Sequence, residues 1–448
     1  MCRCWQSILK HNRKVKQLAL FILVISISKL SAAQANTEDK KIMDGFPPSR
    51  ESQVTFQNYR DYPFSKWSFR NMGAPMHTLM IPRAGSVHQF KESNNTFGQS
   101  TISTEEGASE TIESVFAKNE TDGVIIVQNN TIIFEKYWNG LSKHYQHIWF
   151  SMTKSLTSSA FGLLVKQGRI DLSESPVKYV PELKGTPWER TKIQDVLNMS
   201  TALGFVESYT DTASFFYKYY GGASGFFYVS GADTVTISDQ ILGTYDFLTK
   251  MATANNNMQP GYKFEYNSSN VDVISWIMSR VTGQPYQQFI QENIWGKLGA
   301  EHDAFITTDR AYTAMATGGM NTTLRDAALF ATMILNRGTI DGKQIIPAKW
   351  VDETLQLNEE DKARMKRNDV YPKAGLPWIA YKNFWWILDN VKGEFCALGI
   401  HGQVIYINRA ANLVVCYFSS QPVAGSAASK NFLPKLNACR AISKKFIK

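Results

Sequence analysis

The sequence predicts an α/β (α+β) chain in which an antiparallel sheet flanked by helices carries an inserted, mostly helical lobe. Three observations predict it. β-rich runs stand near residue 125 and again after residue 383. An apolar helical pattern follows directly on the first pair of runs. Helical patterns then fill most of the region between. One sheet assembled from both ends of the chain, with a helical lobe inserted between its halves, uses all three.

Residues 1–35 read as a secretory signal. Arg3, Lys10, Arg13, Lys14 and Lys16 precede the 11 residues Leu18 to Ser28, and a small-residue cleavage site follows near Ala35. An apolar run of 11 residues is too short to span a bilayer, which takes about 20. The expected location is therefore periplasmic or secreted, with the membrane met only during export. Losing the signal removes six of the 48 basic residues and none of the 39 acidic ones, leaving a net charge of +3. So small a charge argues against nucleic acid or an anionic surface as partner. Cys2 and Cys4 leave with the signal, and Cys396, Cys416 and Cys439 are too far apart for a disulfide framework or a metal site. A single bridge between Cys396 and Cys416 stays open in an oxidising compartment.

Residues 36–110 are polar and irregular and read as an extension wrapping the domain that fills 111–448. Gly123 to Trp138 is a hairpin, two β-rich runs joined at Gln128-Asn129-Asn130. Beyond Ser151, the residues Leu156, Ala160, Leu163 and Leu164 recur at helical spacing, and Gly168 ends the pattern. The insertion, about 170–375, is mostly helical, and its most conspicuous loop is Phe215 to Gly231. Within it, Asn321 to Gly338 is a helix that Thr323 can cap with Asp326 completing a capping box. NFWWILDN, EFCALGIHGQVIYIN and NLVVCYFSS then read as three strands, and a final helix closes the chain.

The chemistry concentrates where the first helix begins. Ser151 and Lys154 lie three residues apart, so a helical turn puts them on one face. A serine hydroxyl needs a base to become a nucleophile, and a lysine serves if burial and neighbouring cations depress its pKa. The spacing alone is weak, since Ser-x-x-Lys recurs inside the signal at Ser7–Lys10 and Ser26–Lys29. On the motif by itself, a helix cap beside a solvated lysine is the better explanation. The setting, a hairpin followed by an apolar helix, favours the catalytic reading. Gly-x-Ser-x-Gly and HExxH are both absent from the chain, which removes the motifs of two rival hydrolase classes. Neither metal nor cofactor is expected.

Four segments in order resemble the β-lactamase-related serine hydrolases, which include class C β-lactamases, penicillin-binding carboxypeptidases and esterases. They are SMTKS with its helix, RIDLSESPVKYVPELKG with TKIQDVLNMSTAL, PGYKFEYNSSNVDVISWIMSRVTG, and TGGMNTTLRDAALFATMILNRG with LGIHGQVIYIN. The likeness is greatest to the 6-aminohexanoate-dimer hydrolase branch, through Tyr266-Asn267-Ser268-Ser269-Asn270, LGIHGQ and DGFPP. The resemblance implies Ser151 as acylated nucleophile, Lys154 as base and Tyr266 as second proton-transfer group. It implies an oxyanion hole from the backbone N–H groups of Ser151 and Ile400. A nearby ammonium is expected to lower the Tyr266 pKa. The family's Lys-Thr-Gly aligns with Ala397-Leu398-Gly399. The lysine is missing and Gly399 remains, where it would let substrate approach the strand edge. Tyr209, Ser268 and His401 are implied at the substrate. His401 reads equally as a strand histidine bonded to its neighbours. Trp385 and Trp386 lie on a strand that turns one of them inward; either could wall the pocket, Trp385 being the one assigned to it, although core packing is the commoner use.

The expected activity is cleavage of a small amide or ester through an acyl-serine intermediate. A penicillin-recognising D-aminopeptidase or carboxypeptidase is the alternative within enzymes. A catalytically silent binding or sensor protein is the alternative outside them.

Overall fold

A computed structural model describes residues 41–103, 109–226, 241–425 and 429–447. The expected signal, with its cleavage near Ala35, lies outside these residues. The chain divides into two compact units, 1–54 and 55–448. The described part of the first is a tight loop closed by a hydrogen bond from Met43 N to Ser52 O (2.9 Å).

Among the described residues the second unit carries four sheets, of which two are only two-stranded ribbons and the other two position the site. The smaller has four strands, β1 (Thr78–Ile81), β6 (Ala304–Thr307), β7 (Met320–Thr322) and β5 (His147–Ile148), in that spatial order. The larger has eight. Its order is β8 (Ala380–Lys382), β9 (Trp385–Asp389), β10 (Glu394–Gly399), β11 (Gln403–Asn408), β12 (Leu413–Ser419), β3 (Thr121–Gln128), β4 (Thr131–Tyr137) and β2 (Lys91–Glu92). All its pairs are antiparallel except β2 with β4. The two ends of the chain meet where Cys416 of β12 stands opposite Ile125 of β3, as the split pattern of β-rich runs predicted. Of the described residues ahead of β3, β1 adds to the margin of the small sheet and β2 to that of the large one.

The β3–β4 hairpin turns at Asn129 and Asn130, which take φ of 49° and 58°. Asparagine tolerates that left-handed region better than most residues. Four helices position the site and its supports: α1 (Thr153–Lys166), α2 (Ser269–Thr282), α3 (Leu324–Leu335) and α4 (Phe432–Lys444). Thr323 caps α3 by accepting from Asp326 N. The Asp326 carboxylate does not close the expected box. It accepts from Glu301 N, His302 N and the Thr323 hydroxyl instead.

EFCALGIHGQVIYIN is not one strand but a hairpin, β10 and β11, turning at Ile400-His401-Gly402. His401 (φ 59°) and Gly402 (φ 91°) reverse the chain there. The run of apolar residues hid the turn, because neither Pro nor Asn marks it. The Cys396–Cys416 bridge does not form: β11 lies between their strands, and all three described cysteines are free and buried.

Period-two alternation decides what each face of β12 meets. Phe418 stacks on His147 with centroids 4.7 Å apart. Tyr417 and Ser419 face α4, where the buried Lys435 Nζ lies 2.7 Å from Ser419 Oγ and 4.8 Å from the Tyr417 ring. No described helix is long and apolar enough to cross a membrane.

Candidate active site

The small sheet delivers the nucleophile. Trp149 continues β5 by donating its N–H to Met320 O of β7 (2.8 Å). Its buried indole donates to Thr322 Oγ1 (2.7 Å). Phe150 then takes φ 46°, a left-handed conformation costing about 1–2 kcal/mol. Its ring is 1% exposed, and burying it stabilises by roughly 2–3 kcal/mol, so packing holds the turn. Ser151 sits at the middle of that 3₁₀ turn, Phe150–Met152, just ahead of α1.

Lys154 Nζ lies 2.8 Å from Ser151 Oγ and donates to the Thr317 carbonyl at 2.7 Å. The side chain is 1% exposed. Burial pulls its pKa down to about 8, against the opposing pull of Glu207 and Asp272. No neighbouring cation takes part, so desolvation does alone what the sequence assigned to two causes. The Tyr266 hydroxyl is hydrogen-bonded to Ser151, and Lys154 Nζ stands 5.4 Å from the Tyr266 ring centre. Contrary to expectation, the Tyr266 pKa is raised. Burial comes first, then the repulsion of Tyr381 and Glu207. The site therefore pairs an amine that gives up its proton easily with a phenol that keeps its own.

Ser151 and Lys154 open on a narrow cavity of about 350 Å³ whose walls include Tyr209, Phe216, Tyr220, Phe226, Ser268 and Ile400. Access separates this pair from Ser419 and Lys435. The latter make the same hydrogen bond, and burial brings Lys435 down to about 7, but Ser419 is 0% exposed. Another Ser-x-x-Lys, Ser175–Lys178, is a surface turn.

Of the other residues assigned to the substrate, Tyr209 and Ser268 face the cavity and share Glu207. Its carboxylate accepts from Ser268 N (2.5 Å), Ser268 Oγ (3.0 Å) and the Tyr209 hydroxyl. Gly399 has another reason to be glycine than the one expected. A Cβ there would lie 2.2 Å from the Trp149 carbonyl oxygen, so it lets β10 press against the nucleophile turn. Ile400, the next residue, reaches the cavity.

His401 does not line it. Its Nδ1 bonds the Gln421 carbonyl at 2.7 Å, its ring packs edge-on to Phe69, and burial lowers its pKa to about 3. It is a neutral clamp on the β10–β11 corner. Trp385 also misses the site. It packs on Phe395, while its neighbour Trp386 stacks against Tyr266 with centroids 5.6 Å apart and planes 19° apart. The strand's alternation held, but the face was misassigned.

Three contributors escaped the sequence reading. Thr317 offers only its carbonyl, which no side-chain pattern reveals. Tyr220 sits on a single π-helical turn, Phe216–Tyr220, in what read as a loop. The remainder of that loop, from residue 227, lies outside the described residues. Asp272 did carry a signal: it is the lone acid among Val271, Val273 and Ile274 near the start of α2. It is 3% exposed and accepts from the Tyr220 hydroxyl at 2.7 Å. Among the described residues, no group of three or more His, Cys, Asp or Glu is placed to hold a metal ion.

A family model described as Beta-lactamase matches residues 110–437. The 6-aminohexanoate-dimer hydrolase of Paenarthrobacter ureafaciens is 27% identical over 377 residues, 84% of this chain and 91% of that one. A solved structure named as a candidate 6-aminohexanoate-dimer hydrolase from Bacillus anthracis superposes with a TM-score of 0.78 at 25% identity. It covers 89% of this chain and 98% of the other. A candidate D-alanyl-D-alanine carboxypeptidase of Salmonella agona is 22% identical over 207 residues, 42% of this chain and 44% of that protein.

Proposed function

Since this chain belongs to the β-lactamase family and is a serine hydrolase of amide or ester bonds, we propose that it cleaves a small linear amide through an acyl-Ser151 intermediate. Exported to the periplasm or beyond, it would act on molecules resembling 6-aminohexanoate oligomers or their esters. The observation that carries this reading is the 2.8 Å contact of Ser151 Oγ with a buried Lys154 amine at the cavity.

Lys154, neutral, takes the Ser151 proton as Oγ attacks the substrate carbonyl carbon. The backbone N–H groups of Ser151 and Ile400 receive the developing oxyanion. Tyr266, whose phenol is neutral, gives its proton to the leaving nitrogen as the carbon–nitrogen bond breaks, and the proton held by Lys154 restores Tyr266. Water then attacks the acyl ester, and the carboxylic acid product leaves with Ser151 reprotonated.

Two features favour a linear amide over a β-lactam. The cation of the third family motif is missing at Ala397, so a ring carboxylate finds no lysine there. Beyond Glu207 and Tyr266 lies a larger cavity of about 850 Å³ with Glu265 and Asp369 against one Lys263, between the exposed Val206 and Val370. That lining suits an aliphatic amine better than an anion.

The test is turnover of the linear 6-aminohexanoate dimer, a p-nitrophenyl ester of a short acyl chain and a chromogenic cephalosporin by the mature protein. The amide or ester is cleaved, with the cephalosporin at least ~100-fold poorer in kcat/KM, the order of a lost charge-assisted contact. Efficient cephalosporin turnover would overturn the substrate reading in favour of the penicillin-recognising alternative.

The base sets the pH dependence. Lys154 works when unprotonated, and its pKa is about 8, so kcat/KM rises with pH and levels above that value. A flat profile from pH 6 to 9 would remove Lys154 as the base.

A further inference from the structure

The hydrogen bonds below Lys154 run in one direction. The Tyr220 hydroxyl donates to Asp272 Oδ2 at 2.7 Å and is itself bonded by the Thr317 side chain. The Thr317 carbonyl accepts from Lys154 Nζ at 2.7 Å. Asp272 lies on α2, Tyr220 on the π-helical turn, Thr317 ahead of β7, and Lys154 on α1. Four segments thus meet through four side chains and one carbonyl, next to the nucleophile. A π-helical turn is rare and strained, and tends to persist where it aims a side chain at a site. Here it aims Tyr220 both at the cavity wall and at Asp272.

A carboxyl in that position is costly unless the network needs it. Asp272 is all but removed from water, and Asp309 and Glu207 repel its charge, so burial and repulsion raise its pKa well above the usual range. An apolar residue would fill the same space on α2 without that cost.

Building on the reading of Lys154 as base, we propose that Asp272 is a positioning residue for acylation, holding Lys154 Nζ on Ser151 through Tyr220 and Thr317. It fixes the Tyr220 hydroxyl, which fixes the Thr317 turn, whose carbonyl anchors the amine. It also biases the amine's proton. The groups facing Lys154 are Ser151, Tyr266, Glu207 and Asp272. Those facing Asp272 are Tyr220, Asp309, Glu207 and Lys154. Glu207 and Asp272 favour the ammonium where they are ionised, so removing an ionised Asp272 carboxylate lets Lys154 lose its proton at lower pH.

The experiment measures acylation by a p-nitrophenyl ester in single turnover, from pH 6 to 10. The proteins are wild type, Asp272→Asn, Asp272→Leu and Tyr220→Phe, each also made with Lys154→Met, and melting temperatures are recorded alongside. Asp272→Leu and Tyr220→Phe are expected to lose at least ~10-fold in the acylation rate at saturating ester, as for a misplaced catalytic group. Asp272→Asn, which still accepts from Tyr220, recovers most of that rate. Where the wild-type carboxyl is ionised, the acid limb of this variant also moves down, the direction of a lost nearby negative charge. With Lys154→Met present, Asp272 substitutions add nothing further, because their effect passes through the missing amine. Full rates in all three single variants with an unmoved limb would overturn the proposal. So would losses that add to that of Lys154→Met, which mark a general structural role. Should Asp272→Leu fail to fold, Asp272→Asn and Tyr220→Phe decide the matter alone. Wild-type acylation by Lys154→Met itself would instead overturn the base reading beneath the proposal.

Discussion

Ser151→Ala forms no acyl adduct and loses at least ~10⁴-fold in turnover, the scale seen when a serine hydrolase loses its nucleophile. Access and proton transfer together single this residue out. Other serines are near the site, but Ser268 commits both its N–H and its hydroxyl to Glu207, and Ser224 gives its hydroxyl to the Gly221 carbonyl. Ser419 has an amine beside it but no exposed surface. Ser151 alone among these combines the cavity with a base at 2.8 Å. Lys154→Met keeps the space filled and removes the amine, so its loss is of the same order. The double variant is no worse than either single one, because nucleophile and base act as a unit. Intact mass after mixing with a p-nitrophenyl ester checks all four proteins. An adduct on Ser151→Ala would place the nucleophile elsewhere, and a full-rate adduct on Lys154→Met would leave Ser151 without its base.

Much of this architecture was legible because it depends on local pattern. The Asn129-Asn130 turn, the apolar face of α1 and the cap at Thr323 are each set by residues within a few positions of one another. So is the Ser151–Lys154 pair, which one turn of chain brings together. What stayed hidden depends on residues far apart in sequence. β1, β5, β6 and β7 are two to four residues long, too short for alternation to show, and they form a sheet only because distant segments meet. The β10–β11 corner is held by His401 on Gln421, a contact no local pattern contains. The direction of the Tyr266 pKa was missed for a related reason. Sequence placed a lysine near a tyrosine, but not the carboxylate and second phenol that enclose it. Trp385 shows the limit of periodicity: it separates two faces without saying which one is functional.

Gly399→Ala is expected to cost at least ~100-fold in kcat, the scale of a nucleophile displaced by about 1 Å. The Cβ it introduces would lie 2.2 Å from the Trp149 carbonyl oxygen, well inside van der Waals contact, and neither partner yields easily. Gly399 is held by β10–β11 pairing, opposite Gln403. Trp149 is held by Met320 on its backbone and Thr322 on its indole. The strain therefore passes along the chain to Phe150 and Ser151, whose turn already sits at a left-handed φ. Stability falls as well, by about 1–3 kcal/mol for a buried steric conflict. The two effects separate by temperature. Well below the melting point the variant is folded by circular dichroism yet slow, with KM for the ester changed less than kcat. This assigns the surviving glycine of the third family motif to shaping the catalytic turn, a role that persists here although the motif's lysine does not. A folded Gly399→Ala protein with full kcat would show that β10 and the nucleophile turn can separate without consequence, and would return the glycine to substrate access alone.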